Sequence, residues 1–200
     1  MEYKALVFDF FGVLCSEVAP PWFHEHFPNR GHSLKDELMY PADRGEVSQE
    51  NLFIQLAKLS GISAKEIEED WIKRAAINTE LLNFIKEFKS LYKLGILSNS
   101  MSPYFHTITE DLGLDEIFDE IIISSEIGHT KPEPEAYQAV LTRLNVLPSE
   151  TLLIDDNTQY INGAGELGID GYIFISNQDL QLDLKNEFKG SSSSRSVSPI

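Results

Sequence analysis

The sequence predicts an α/β fold: a doubly wound parallel sheet with a small helical cap inserted after its first strand. Three observations lead there. Five short β-type runs recur, several of them apolar without alternation, as strands covered on both faces are. Helical apolar stripes separate the later runs, which is the rhythm of strand–helix–strand units. Residues 17–89 break that rhythm, with about seventy residues of helical pattern and no convincing strand.

The first run, Lys4–Phe8, ends at Asp9 and turns through Gly12. In the interval that follows, Ser48 is placed to cap a helix carrying Leu52, Phe53, Leu56 and Leu59. Ser63 with Glu66 reads as a capping box ahead of Ile67, Trp71 and Ala75, and Leu81, Leu82, Ile85 and Phe88 continue the pattern. Tyr92–Leu97 is the second strand. Ser102 is read as an N-cap with Pro103 at the first helical position. Ile121–Ser124 is the third strand, after which Lys131 is expected to open a helix with the stripe Ala136, Tyr137, Val140, Leu141 and Leu144. Thr151–Ile154 and Tyr172–Ile175 complete the set. The expected division is a core of 1–16 and 90–188, a cap of 17–89, and a disordered serine-rich tail of 189–200.

Two hundred residues suffice for one core with a modest insertion. Sixteen Lys and Arg stand against 32 Asp and Glu, a formal charge of −16, which argues against nucleic acid or an anionic membrane as partner. No apolar stretch approaches the ~20 residues of a membrane span, and Glu2 and Asp9 are wrong for a signal peptide. The expectation is a cytoplasmic monomer or homodimer. The one cysteine, Cys15, has apolar neighbours and reads as a small buried thiol.

Ligands of open parallel sheets sit beyond the carboxyl ends of the strands. The residues expected there are Asp9, Ser98 and Asn99 in "LSNS", Lys131 in "GHTKPEPEAY", and Asp155 and Asp156 before Asn157. Taken singly, each has an ordinary role as turn residue, helix cap or solvated lysine. Together, each after a strand, they point to phosphoryl chemistry. A carboxylate can attack phosphorus and split the reaction in two. Crowded carboxylates need a cation, and Mg²⁺ takes oxygen ligands with a substrate phosphate. An ammonium and a hydroxyl can hold the remaining phosphate oxygens.

The stretches "VFDFFGVL", "GILSNS", "GHTKPEPEAY" and "LLIDDN" resemble, in order, the four motifs of the haloacid dehalogenase-like (HAD) hydrolase superfamily, over residues 1 to about 187. The chain is most similar to its small glucose-1-phosphatase-like sugar-phosphate phosphatases, with support from "DRGEVSQENLF" and "DDNTQYINGAGELGI". The resemblance implies a Rossmann-like core and a Mg²⁺-dependent hydrolase acting on a small phosphorylated metabolite. It implies Asp9 as nucleophile and Mg²⁺ ligand, and Ser98, Asn99 and Lys131 as phosphate-binding residues. Asp156 would be a direct metal ligand, Asp155 a ligand directly or through water, and Phe11 a ligand through its backbone carbonyl.

Phe11 is the departure. The common phosphatase pattern has a second aspartate there as general acid and base, and phenylalanine cannot move a proton. Two alternatives follow: a haloacid dehalogenase, which uses the same nucleophile with an aromatic residue here and no metal, or a catalytically weakened protein that binds phospho-ligands. Asp155 and Asp156 favour metal and phosphate. In the cap, "PPWFHEHF" could offer aromatic faces and imidazoles to a substrate, or form a packed cap core with its polar residues outward. Arg44 could meet an anionic substrate or pair with Asp43 or Glu46, and His129 could lie near the site or in a solvated loop.

Overall fold

The structure, a computed structural model, describes residues 3–190, with side chains through 186. β1 (Ala5–Phe8), β2 (Lys93–Ser98), β3 (Glu120–Ile123), β4 (Thr151–Asp155) and β5 (Asp170–Ile173) form one parallel sheet in the order β3-β2-β1-β4-β5. β1 is central, so its side chains are covered on both sides. Leu6 and Phe8 join one apolar cluster while Ala5 and Val7 join the other, which explains a run without polar alternation. The chain winds outward from β1 through β2 and β3, then returns to β4. The strand order therefore reverses between β1 and β4, where an open sheet leaves a crevice at its carboxyl edge.

One face is covered by α9 (Pro134–Leu144) and α10 (Thr158–Glu166), packed through Ala136, Tyr137, Val140, Leu144 and Ala164. The other is covered by α5 (Thr79–Ile85), α6 (Ser102–Thr109), α7 (Leu114–Ile117) and α11 (Asn177–Gly190). The helix α8 (Ser124–Ile127) follows β3 directly.

Four helices build the cap: α1 (Ala19–His26), α2 (Gly31–Asp43), α3 (Gln49–Ser60) and α4 (Ala64–Arg74). Ser48 caps α3 by accepting from Asn51 N–H, and Ser63 with Glu66 forms the capping box of α4. Trp22, Phe23, Leu52, Phe53, Leu56, Ile67 and Trp71 close a separate apolar cluster, which Met101 and Tyr104 of the core side complete. Fully burying a large side chain of this kind is worth about 1.5–3 kcal/mol, so the cap carries its own core. The chain enters and leaves this cap through a neck. Ser16 N–H donates to the Ala76 carbonyl at 2.9 Å and Asn78 N–H to the Leu14 carbonyl at 2.8 Å, around an antiparallel bridge between Cys15 and Ile77.

Several expectations shift. Residues 79–88 fall inside the expected 17–89 cap, yet Leu81, Leu82, Phe84, Ile85 and Phe88 pack on the sheet cluster with Leu6 and Phe8. β5 lies two residues before Tyr172–Ile175, because this edge strand is mostly exposed and its position is set by backbone pairing to β4. Lys131 opens no helix: α9 starts at Pro134, its fixed φ suiting the first helical position, and Lys131 lies in the preceding turn. Met101, not Ser102, is the N-cap of α6, and the Ser102 hydroxyl donates to Glu126 instead. The last helix runs through Gly190, so residues 189 and 190 belong to it; the rest of the expected tail, 191–200, lies outside the described residues. Among the described residues no helix is long and apolar enough to cross a membrane.

Candidate active site

The carboxyl ends of β1, β2 and β4, with the loop after α8, bring the expected residues to the crevice. Asp9 directly follows β1, and Asp155 ends β4 two strands' width from Ser98 at the end of β2. Lys131 reaches between the acids: its Nζ lies 2.8 Å from Asp9 Oδ1 and 2.7 Å from Asp155 Oδ2. Burial alone would lower the lysine's pKa, but Asp155 and Asp9 outweigh it and hold the ammonium above its ordinary value. Asp9 goes the other way. Burial raises its carboxyl well above the ordinary value, Lys131 opposes this, and Asp155 and Asp156 add to it.

Each neighbour has a definite place. Asp155 Oδ1 accepts from Asn157 N–H at 2.8 Å, so with Lys131 on Oδ2 both its oxygens are engaged. Asp156 is more exposed, and its carboxylate occupies the space that a Cβ on Gly12 would need. Gly12, at φ +90°, is therefore required twice, by its left-handed backbone and by that acid. Oxygens of Asp9, Asp155 and Asp156 all lie within 4.8 Å of one another. Ser98 Oγ is buried with no hydrogen-bond partner. The Asn99 side chain accepts from Lys131 N–H at 2.8 Å and donates to the Lys131 carbonyl at 3.0 Å, fixing the turn that presents the lysine.

A cavity of about 500 Å³ opens over this floor, with Asp9, Asn99 and Asp156 on one side and Glu17, Lys35, Asp43 and Trp71 of the cap on the other. Phe11 lies in its wall, half-buried, nearly parallel to Tyr104 at 6.1 Å and edge-on to Phe10 at 5.0 Å. Its ring is a packing element between cap and core.

Other expectations resolve. Trp22 and Phe23 of "PPWFHEHF" are buried in the cap core, His24 is exposed, and His26 stacks on Trp22 at 4.4 Å, so that stretch is packing and only its prolyl end, at Pro20, reaches the cavity. Arg44 pairs with Glu46 and with Glu133, not with Asp43, and His129 Nδ1 lies 2.9 Å from Glu133. Cys15 is buried, and burial pushes its thiol up to about 12, which makes it inert. Sequence reading did not find Glu17, Lys35, Asp43 or Trp71 as cavity residues. Trp71 stood out only as part of a helical stripe, and nothing local marked the other three.

Curated relatives span both chemistries. D-ribitol-5-phosphate phosphatase of Bacteroides thetaiotaomicron is 28% identical over 141 residues, 65% of this chain and 68% of that protein. (S)-2-haloacid dehalogenase 2 of a Pseudomonas species is 27% identical over 188 residues, 84% of this chain and 81% of that one. Among solved structures, a HAD family enzyme of B. thetaiotaomicron in complex with magnesium and inorganic phosphate superposes with a TM-score of 0.75 at 24% identity, covering 89% of this chain and 98% of that one; at this identity the likeness speaks for the fold. The haloacid dehalogenase-like hydrolase model matches residues 3–168, the first four strands, floor acids and cap included, and the chain belongs to that family.

Proposed function

We propose that this hydrolase is a Mg²⁺-dependent phosphatase of a small phosphorylated metabolite, working through a phosphoryl group carried on Asp9. The observation that carries the reading is the charge balance of the floor. One oxygen from each of three carboxylates lies within 4.8 Å of the others, while the Lys131 ammonium pairs with only two of them, Asp9 and Asp155; the site thus holds more acid than cation, with a buried hydroxyl, Ser98 Oγ, that has no partner. A magnesium ion suits that donor set: hard, all oxygen, and short of positive charge. Asp9 and Asp156 would hold it, with Asp155 assisting from behind because both of its oxygens are engaged, and the Phe11 carbonyl completing the protein ligands. Bound there, the ion would neutralise the acids and polarise the phosphoryl oxygens. The complex of a solved family member with magnesium and phosphate supports the same pairing.

The chain's own residues then divide the work. Asp9 attacks phosphorus, forming an acyl phosphate as the bond to the leaving oxygen breaks. Lys131 and Ser98 hold the phosphoryl oxygens as charge builds on them. Asn99 acts through Lys131, fixing its turn. Water then cleaves the phosphorus–oxygen bond to Asp9, releasing phosphate and restoring the carboxylate. Phe11 supplies no proton, so the leaving alcohol is either a good leaving group or takes its proton from elsewhere in the cavity.

The same Phe11, with a dehalogenase among the relatives, favours a second reading, in which Asp9 displaces halide without metal. A panel of phosphate esters and 2-chloropropionate, each with EDTA and with added Mg²⁺, separates the two. Phosphate release that EDTA stops, Mg²⁺ restores and Asp9→Asn abolishes is the expected result. Metal-independent chloride release would replace it with the dehalogenase, and no turnover on the whole panel would leave a binding protein.

A further inference from the structure

The turn that presents Lys131 is held from two sides. On the core side, Asn99 brackets the lysine's own peptide groups. On the cap side stands Glu133, which no step of the reaction uses. It occupies the N-cap of α9, yet its side chain does not cap that helix. Its Oε1 accepts from Thr130 Oγ1 at 3.0 Å, from Tyr40 Oη at 3.1 Å and from the Arg44 guanidinium, and its Oε2 lies 2.9 Å from His129 Nδ1. The Glu133 N–H donates to the Thr130 carbonyl at 2.7 Å. Glu133 thus joins both ends of residues 129–133, whose middle is Lys131, and joins that stretch to α2 of the cap.

The end of α2 is seated firmly enough to carry such a tie. The Asp43 carbonyl accepts from the Ser124 hydroxyl at 2.5 Å, and Gly45, at φ +73°, lies so near the Ser125 carbonyl that a Cβ would come within 2.5 Å of its oxygen. Arg44 stands between these two contacts, with its Nε held by Glu46 at 2.8 Å and its guanidinium over the Tyr40 ring at 5.5 Å. An isolated exposed ion pair contributes little. This pair is neither: the Arg44 and Glu133 side chains are 20% and 25% exposed, and the carboxylate has four side-chain partners. Burial would raise the Glu133 carboxyl, but hydrogen bonds from Arg44, His129, Thr130 and Tyr40 hold it at about 2, so it stays an anion. We propose that Glu133 is a positioning residue for Lys131, and that Arg44 and Tyr40 make its hold depend on the seated cap. The cap then does more than cover the cavity: by docking on residues 129–133 it sets the ammonium that holds the phosphoryl oxygens. This rests on the phosphatase reading for the role of Lys131, and adds the residues that keep the lysine in place.

The test reads kcat and KM for p-nitrophenyl phosphate, whose leaving group needs no proton, with Mg²⁺ and at a temperature where melts show every variant folded. Charge builds on the phosphoryl oxygens in the transition state, so a displaced lysine is felt in kcat. Glu133→Ala is expected to lower kcat about 10- to 100-fold and to leave KM within about threefold. Arg44→Ala should lower kcat about tenfold, and Arg44→Lys should recover part of that loss. The double variant should be no slower than Glu133→Ala alone, because both changes cut the same tie. An unchanged kcat in Glu133→Ala overturns the proposal, and fully additive losses overturn the coupling through Arg44. Should Glu133→Ala not fold, Arg44→Ala carries the same test from the cap side. A second readout needs no turnover: hydrogen exchange of the Lys131 amide, which donates to Asn99 Oδ1, should quicken about tenfold in Glu133→Ala and Arg44→Ala while the β1 amides keep their native rates. If the native protein hydrolyses no ester, the phosphatase reading fails on its own and this exchange decides: faster exchange in the variants upholds the tie, and native exchange rejects it.

Discussion

The floor and the roof of the cavity are made of opposite materials. At the floor, Asp9, Lys131 and Asp155 are buried and paired, and their positions are set by three neighbouring strands and one turn. At the roof, stacked aromatic rings leave a tryptophan N–H and a carboxylate oxygen unpaired. The first arrangement is held by ion pairs and is short of positive charge, with one unpaired hydroxyl, Ser98 Oγ; the second is held by packed rings and leaves two polar atoms without hydrogen bonds. The paired acids and lysine thus stand at the edge of the parallel sheet, and the unpaired groups stand on an insertion with a core of its own.

The largest effect expected from breaking this contrast is at Lys131. Lys131→Met removes the cation that contacts both Asp9 and Asp155 while keeping the length of the side chain. Removing one partner of a buried pair costs about 3–5 kcal/mol, a fall of about 10 °C in a chain of this size. Thermal melts with and without Mg²⁺ should show that fall and its partial recovery by the ion. A melting temperature unchanged from the native one would mean that the floor is not held together by charge.

Phe11 joins the two regions and comes next. Phe11→Asp places a carboxyl where family phosphatases carry their acid, at the cost of the ring contacts to Tyr104 and Phe10. Stability should drop by about 2 kcal/mol, less than for a fully buried phenylalanine. For an ester with a poor leaving group, kcat should rise on the order of 10²-fold. Denaturant melts and steady-state kinetics read the two effects separately, and a variant with lower stability but no gain in kcat would mean that proton delivery is not limiting.

A third expected effect is a pH dependence written into the roof. The Asp43 carboxyl has a pKa of about 7 in the fold against 3.8 ordinarily. A raised acid favours the folded state in its neutral form, so that contribution is complete below about pH 4 and is lost as pH rises through about 7. Asp43→Asn should therefore flatten the melting-temperature profile between pH 4 and 7, by roughly 10 °C at the upper end. Parallel profiles for the two proteins would remove Asp43 as a strained group.

The same division governed what could be read from residues alone. The floor was legible because its groups other than Lys131 stand at or directly after strand ends, and strands covered on both faces announce themselves as apolar runs such as Leu94–Leu97 and Leu152–Ile154. β5 was misplaced for the converse reason: three of its four residues are exposed, so no burial pattern marks it. Lys131 was assigned to the right rim on the wrong element, since Pro134, and not the lysine, sets where α9 begins. The roof was illegible as a site. Glu17, Asp43 and Trp71 are brought together by tertiary packing of three cap segments, and each carries a local explanation of its own: an acidic residue after the first strand, a charge beside Arg44, an apolar helical stripe.

The neck has a consequence for the protein's history and for its engineering. Where the polymer departs after Leu14 and comes back at Asn78, its two arms are hydrogen-bonded side by side. To the sheet, some sixty intervening residues therefore look like the tip of a hairpin, and lengthening such an excursion adds only about 0.6 kcal/mol of closure entropy per doubling. Grafting the equivalent module of a sister enzyme between these two anchor points would exchange the whole upper wall of the cavity without rewriting the strands that carry Asp9, Ser98 and Asp155.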